Sequence, residues 1–389
     1  MGNIRSFGGI KKIVLYFDYY YSSARFFFYK VMQLGGRLVF PIVLMMRFRE
    51  YCCGQSFYPE CKRKKKYRIF LDHLLWILRK GELNNFYYMW GFDRREVKQM
   101  YDFVGEVTWT NARRKKNEVK KQWKFYNASC LLMNKFYFGN LLETLGFATP
   151  HNRYLINNGI VTDLEKKEII GYDEFLKNNF SCFCKNAVGG GGKDADNFIL
   201  KIENGKIFIL DEQVHIGDFK HKIQNGTWIV QDKIERQFID IAKYHEYSIN
   251  TIRLVTVCDG TEIVPIAALA RFGQNGRVKD NGFSGGIIVP VDIKTGIMNE
   301  FGFMPVQKKK TRVHPNSNIA FGGVKIPKWD EMIENAIILH RYFYNIHSIG
   351  WDICVTDEGV CFIEGNDDWH VVDAQVNEPG MNIYRKYFK

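Results

Sequence analysis

GWDICVTDEGVCFIEGND, residues 350–367, is the stretch whose reading decides the fold. An apolar run reaches Val355, Asp357-Glu358-Gly359 supplies turn chemistry, and a second apolar run begins at Val360. The segment therefore predicts two strands joined as a hairpin. Asp352 sits on the first strand, while Glu364 and Asn366 lie two apart on the second, where a period of two puts their side chains on one face. The turn brings that face beside Asp352. Three oxygen donors with no imidazole nearby suit Mg2+ rather than zinc. The competing reading, a strand of solvated acids, fits poorly with the apolar VCFI that precedes Glu364.

The neighbouring segments extend this pattern. NTIRLVTVCDGTEIVPIAALARFG (250–273) predicts a hairpin turning at Asp259-Gly260, which sets Arg253 and Arg271 on adjacent strands. Arginine keeps its charge and offers a planar fork to phosphate or carboxylate oxygens. GGIIVPVDIKTG (285–296) reads as a strand and KWDEMIENAIILHRYFYNI (328–346) as an amphipathic helix. If the helix runs on past 346, His340 and His347, seven apart, share a face, and packing is their expected role. Earlier, FCKNAVGGGGKDADNFIL (183–200) predicts two strands around a glycine tip with lysines at its base. Glycine is costly in regular elements, so the run serves either a mobile loop or the close approach of backbone N–H groups to an anion. Asn204-Gly205 marks another hairpin, TWIVQDKI (227–234) a strand, and NKFYFGNLLETLGFATP (134–150) a helix ending at Gly146. From residue 127 the chain is strand-rich with interspersed helices, of α+β type. Residues 10–126 read mainly as helices, as in IFLDHLLWILRKG (69–81) and REVKQMYDFVGEV (95–107).

Charge divides along the same line. The net +13 of the 389 residues is N-terminal: residues 1–126 hold 26 Lys/Arg against 10 Asp/Glu, a balance of +16, and the remainder holds 29 against 32. Such a field attracts anionic lipid, nucleic acid or acidic glycans, or else serves solubility; no specific nucleic-acid binding is expected. LVFPIVLMM (38–46) is too short to cross a bilayer core, which takes about 20 residues. With YYYSSARFFFYKVM (19–32) it predicts either a helix lying on a bilayer surface or a core helix of the first domain. No secretory signal is legible at the start, and nine cysteines form no framework; Cys52, Cys53, Cys61 and His73 have poor zinc spacing. The expected setting is the cytoplasm, with peripheral contact to the membrane's inner face.

In their order (lysine, helix, glycine hairpin, hinge strand, arginine strands, helix, Asp strand, Glu-x-Asn strand) residues 127–389 resemble the ATP-grasp fold. The resemblance is to the sugar-transfer-associated branch in particular, and NTIRLVT, FSGGIIVPVD and GWDICVTDEGVCFIEGN carry it most specifically. It implies two α+β lobes clasping ATP: a small lid lobe at about 150–232 and a larger metal-binding lobe at about 233–389. Before them stands the basic helical domain 1–126, where many relatives carry an α/β domain, so their substrates do not transfer. Lys135 and Lys185 match the nucleotide-binding lysines. Gly189, Gly190, Gly191 and Gly192 match a lid over the phosphates, with Lys193 assisting or merely solvated. Gln231, Asp232 and Ile234 match the hinge around the base, although many relatives have glutamate at Gln231. Asp352, Glu364 and Asn366 would hold Mg2+, two ions in all. Arg253 would bind the transferring phosphoryl group and Arg271 the substrate carboxylate. Asn250 and Asn281 are candidates for substrate or the metal's surroundings. His370, Asp373 and Gln375 either face the acceptor or belong to surface loops. The implied activity is an ATP- and Mg2+-dependent carboxylate–amine ligase that forms an amide through an acyl phosphate with ADP release. Its setting would be surface polysaccharide assembly, with an amino sugar as one acceptor. A kinase acting on a sugar, and a non-catalytic membrane- or glycan-bound module, remain as alternatives.

Overall fold

The computed structural model describes residues 22–117, 128–188, 197–234, 236–276, 280–376 and 378–389. The chain forms two compact units, Met1–Lys124 with Gln307–Lys310 and His370–Lys389, and Phe125–Val306 with Thr311–Trp369. His370–Lys389 therefore fold with the N-terminal helices, not with the strand-rich domain to which a division at 126/127 assigned them. The cause is visible in contacts. Gln375 donates to the Val104 carbonyl (2.8 Å) and accepts from its N–H (3.1 Å), and Gly380 packs so closely on Trp109 that a Cβ would lie 2.3 Å from the indole.

In the first unit, α1 spans Ser22–Met46, α2 Lys66–Lys80 and α3 Glu106–Asn117. On α2, Ile69, His73, Trp76 and Ile77 recur at helical spacing and are buried, and the helix stops at Gly81, whose φ of 73° suits glycine. Residues 95–107 depart from the helix that their periodicity predicts. A 3-10 turn covers Val97–Asp102, and α3 begins only at Glu106. Tertiary packing overrides the pattern here: Phe103 and Val104 are buried, and Gly105 lies against the Glu82 carboxylate where any Cβ would collide. Around them Trp76, Trp90, Phe92 and Phe103 form an aromatic core with ring centroids 5.0–6.1 Å apart.

The second unit is a mixed α+β structure of two antiparallel sheets. The first sheet contains β1 (Asn152–Asn157), β2 (Ile160–Asp163), β3 (Glu168–Ile170), β4 (Phe180–Asn186), β5 (Phe198–Glu203), β6 (Lys206–Ile209), β7 (Glu212–Val214) and β8 (Thr227–Asp232). Its order is β3-β2-β1-β8-β4-β5-β6-β7. Asn204 and Gly205, at φ 50° and 73°, make the predicted two-residue turn between β5 and β6. In the second sheet β9 (Thr251–Cys258), β10 (Ile263–Phe272), β11 (Ile287–Val291), β12 (Gly302–Met304), β13 (Ser348–Val355) and β14 (Val360–Asn366) run in the order β12-β11-β10-β9-β13-β14. The hairpins predicted at Asp259-Gly260 and Asp357–Gly359 are both formed. A helix over Lys135–Thr144, α4, leads into the first sheet, and Gly146 beyond it takes φ 80°. Ile216–Ile223 (α5) buries Phe219 and Ile223 in the core of the first sheet; Trp329–Tyr342 (α6) buries Met332, Ala336 and Leu339 against Leu254, Trp351 and Ile353 of the second.

Candidate functional site

Register places the charged residues. Asp352 on β13 lies directly opposite Arg253 on β9 and Glu364 on β14, and Gly350 lies opposite Asn366. Leu269 on β10 faces Arg253, and Arg271 follows two residues later. Directly opposed residues share a face, so Arg271, Arg253, Asp352 and Glu364 form a row across four adjacent strands, with Asn366 beside it. The row is bonded. Arg253 donates from Nε and Nη2 to the two Asp352 oxygens at 2.6 and 2.9 Å, and Arg271 Nη1 adds a third bond at 3.1 Å. Burial alone would raise the Asp352 carboxyl; the two guanidinium groups override it and hold the group below the usual carboxylate range. Gly350 keeps the approach open, since a Cβ there would lie 3.0 Å from Arg253 Nη1 and 2.6 Å from Trp369.

Both predicted nucleotide lysines reach this face. Asn134 caps α4 by accepting from Phe136 N (3.0 Å) and Tyr137 N (3.2 Å), and the Lys135 N–H donates to the Ala187 carbonyl just past β4 (2.9 Å). The Lys135 ammonium thereby comes within 3.4 Å of Glu364. Lys185, near the end of β4, lies over the Phe183 ring and close enough to Cys361 of β14 to oppose the rise that burial imposes on that thiol, which is pushed up to about 12. Gly189, Gly190, Gly191, Gly192 and Lys193 lie outside the described residues. Gln231 on β8 is buried and donates to Asn152 (2.9 Å) and to the Pro150 carbonyl (3.3 Å); Asp232 pairs with Arg153; Ile234 follows β8, half-buried.

Other candidates have structural partners. Asn250 donates to the carbonyls of Ile241 and His245, both at 3.0 Å, which commits its amide to the backbone. Asn281 caps the short turn Gly282–Ser284 by accepting from Phe283 N (3.0 Å). His370 lies 3.5 Å from Glu106, and Asp373 is buried, both in the first unit with Gln375. His340 is a packing residue, bonded to Thr256 and the Ile346 carbonyl.

Asp280 was not singled out from sequence. Its carboxylate accepts from the Thr251 N–H (2.9 Å) and from the Thr251 hydroxyl, at the end of β9. Burial raises its carboxyl to about 6 against the opposing charge of Arg271, and Asp352 adds to the rise. The only sequence signal was an acid immediately before Asn281.

The oxygen set of Asp352, Glu364 and Asn366 fits a hard divalent ion by donor type and shared face. Among the described residues no group of three or more His, Cys, Asp or Glu side chains is arranged to hold a metal; this set has two carboxylates and an amide. A carboxylate offers about four lone-pair sites. Asp352 gives three to guanidinium N–H groups, Glu364 faces Lys135, and Asn366 donates to Glu364 at 3.0 Å, so an entering cation would have to displace some of these partners.

The family described as sugar-transfer associated ATP-grasp matches residues 114–386. A comparison with curated proteins finds no match. Among solved structures the chain is similar to D-alanine–D-alanine ligase of Helicobacter pylori at 12% identity and TM-score 0.37, over 67% of this chain and 58% of that one. Similarity to the Bacillus anthracis D-alanine–D-alanine ligase complexed with ATP is 14% identity at TM-score 0.33, over 63% and 58%. For N5-carboxyaminoimidazole ribonucleotide synthetase of Thermotoga maritima the values are 11% and 0.32, over 64% and 50%. The chain thus spans between half and three-fifths of these proteins, and the family match alone carries the assignment.

Proposed function

The chain belongs to the sugar-transfer associated ATP-grasp family, and on that premise we propose that it is an ATP- and Mg2+-dependent ligase joining a carboxylate to an amine with ADP release. The observation that carries the reading is the bonded row Arg271, Arg253, Asp352 and Glu364, with Lys135 on Glu364. A carboxylate is a poor acyl donor because its leaving group would be an oxide ion. Transfer of the γ-phosphoryl group to a carboxylate oxygen makes an acyl phosphate; the amine then forms the C–N bond as the C–O bond to phosphate breaks.

Each side chain has a part in this scheme. Arg253 and Arg271 already hold one carboxylate, that of Asp352, through a bidentate and a single bond, and the same forks suit a transferring phosphoryl group and a substrate acid. We assign Arg253 to the former and Arg271 to the latter. Lys135 and Lys185 bring positive charge to the phosphates. Asp280 beside Arg271, with its carboxyl raised to about 6, suits the proton that the amine must lose near neutral pH. When bound through Asp352, Glu364 and Asn366, Mg2+ supplies neutralisation of charge on the phosphates. The family's description as sugar-transfer associated supports a setting in glycan assembly, with an amino sugar as the proposed acceptor.

The test is interception. Purified protein given ATP, Mg2+, hydroxylamine and a panel of acids should release ADP and a hydroxamate with the right acid. Arg271→Ala should suppress the hydroxamate by at least about tenfold while ATP still binds. ADP release accompanied by a phosphorylated acceptor and no hydroxamate or amide would identify a kinase instead.

A further inference from the structure

Among the described residues, the first unit carries an apolar surface that its fold leaves exposed. On α1, Val31, Leu34, Leu38, Ile42 and Met45 recur at three and four and all point outward; Leu38 is 78% and Ile42 54% exposed. The opposite side of α1 is the one that packs. Arg37 donates to the Leu78 and Arg79 carbonyls (2.9 and 3.3 Å), and Gly36 comes so close to the Gly81 carbonyl that a Cβ would lie 2.5 Å from it. A second outward stripe, Leu71, Leu75 and Leu78, lies on α2. Apolar faces of this extent seldom remain in contact with water in a monomer.

Charge identifies the partner. Ser22–Met46 contains no acidic residue. The only acid of α2, Asp72, is buried and engaged by Lys64 (2.5 Å) and Tyr87 (2.6 Å). Lys62, Lys65, Lys66 and Arg68, at and before the start of α2, are exposed. An apolar stripe with cations nearby and no exposed anion on either helix matches a bilayer surface bearing anionic headgroups, apolar side chains in the acyl boundary and ammonium groups among phosphates, the exposed Glu50 beyond α1 being paired with Arg47. A second copy of the chain would set cations against cations. No helix among the described residues is long and apolar enough to cross a membrane, and Arg37, bonded to the Leu78 carbonyl in mid-helix, suits an α1 that lies along a surface. We infer that the outward face of α1, with the leucines of α2 and the Lys62–Arg68 cations, is a docking surface for an anionic lipid bilayer, independent of the chemistry of the second unit.

Vesicle sedimentation of the full chain tests this, comparing pure phosphatidylcholine with phosphatidylcholine containing phosphatidylglycerol. Binding should favour the anionic vesicles and fall as salt is raised. Replacing Lys62, Lys65 and Lys66 by Gln together should weaken it by at least about tenfold, since each cation near an anionic surface contributes about fivefold. Leu38→Ser with Ile42→Ser, at positions too exposed to disturb folding, should weaken it at low and high salt alike. A Leu38→Trp variant should lose fluorescence to brominated acyl chains. Absence of binding to anionic vesicles, or binding indifferent to the serine pair, overturns the inference. So does a wild-type dimer that the serine pair converts to monomer without any vesicle binding, which would give the face to a second copy.

Discussion

Asp352 is the residue on which the site turns, because it is both a carboxylate of the Mg2+ reading and the anchor of two arginines. Its side chain and that of Arg253 are nearly enclosed, so Asp352→Asn would leave two guanidinium groups without their counter-charge and set an amide NH2 toward one of them. Breaking such a buried pair costs roughly 3 kcal/mol. Asp352→Asn should therefore lower the melting temperature as well as abolish ATP turnover. Glu364→Gln should abolish turnover with little change in melting temperature, because Glu364 is more accessible and its lysine sits at 3.4 Å. Equal melting temperatures for both variants would contradict the anchoring role. The shared face of Glu364 and Asn366 was legible from a period of two, although its meeting Asp352 depends also on a bulge that shifts the β13–β14 register by one between Asp352 and Ile353. The grip of Arg253 on Asp352 was not, since it depends on β9 lying beside β13, a pairing between residues 99 apart. Asp280 was missed for the same kind of reason: its partner Thr251 is remote in sequence, and only the fold brings the two together.

Elements were legible where one local force decided them and illegible where two competed. The hairpin turns at Asn204-Gly205 and Asp357–Gly359 and the helix end near Gly146 follow from turn chemistry alone. Residues 95–107 have helical periodicity but yield to the packing of Phe103, Val104 and Gly105. The start of α4 shows an element setting a candidate site side chain. Asn134 satisfies two of the N–H groups that every helix start leaves over, and the next residue is Lys135. Asn134→Ala removes both bonds, at a cost of about 1 kcal/mol, and loosens the turn that aims Lys135. The expected outcome is a raised KM for ATP by a fewfold with kcat less affected, whereas Asn134→Ser or Asn134→Asp, which also cap, should restore the wild-type KM. A KM unchanged in the alanine variant would separate Lys135's position from its cap.

At the scale of the whole molecule, the two units differ in what holds them. The second is built on paired strands; the first closes around the start of α3, where Glu82 accepts from the Val107 N–H (2.7 Å) and the Thr108 hydroxyl (2.9 Å), and Thr108 in turn accepts from Gln33 of α1 (3.1 Å). Burial raises the Glu82 carboxyl to about 7 despite these bonds, with Glu106 adding to the rise, while Lys80 is the cation that feels its charge. The unfolded chain releases this proton near the ordinary glutamate value of 4.5, and the folded chain keeps it until about 7. Between those values the folded state binds more protons than the unfolded, so stability falls as pH rises through the window. The loss levels off above about 7 and amounts to roughly 3 kcal/mol at most for this one group. Glu82→Gln keeps the shape, can still accept from Val107 and can donate to the Thr108 oxygen, but it has no proton to release. Thermal melts of the full chain at about pH 5 and about pH 8 should show a drop that is clearly smaller in Glu82→Gln than in the wild type. A drop of equal size in both would assign the pH dependence to other groups and remove Glu82 as the titrating clasp of the first unit.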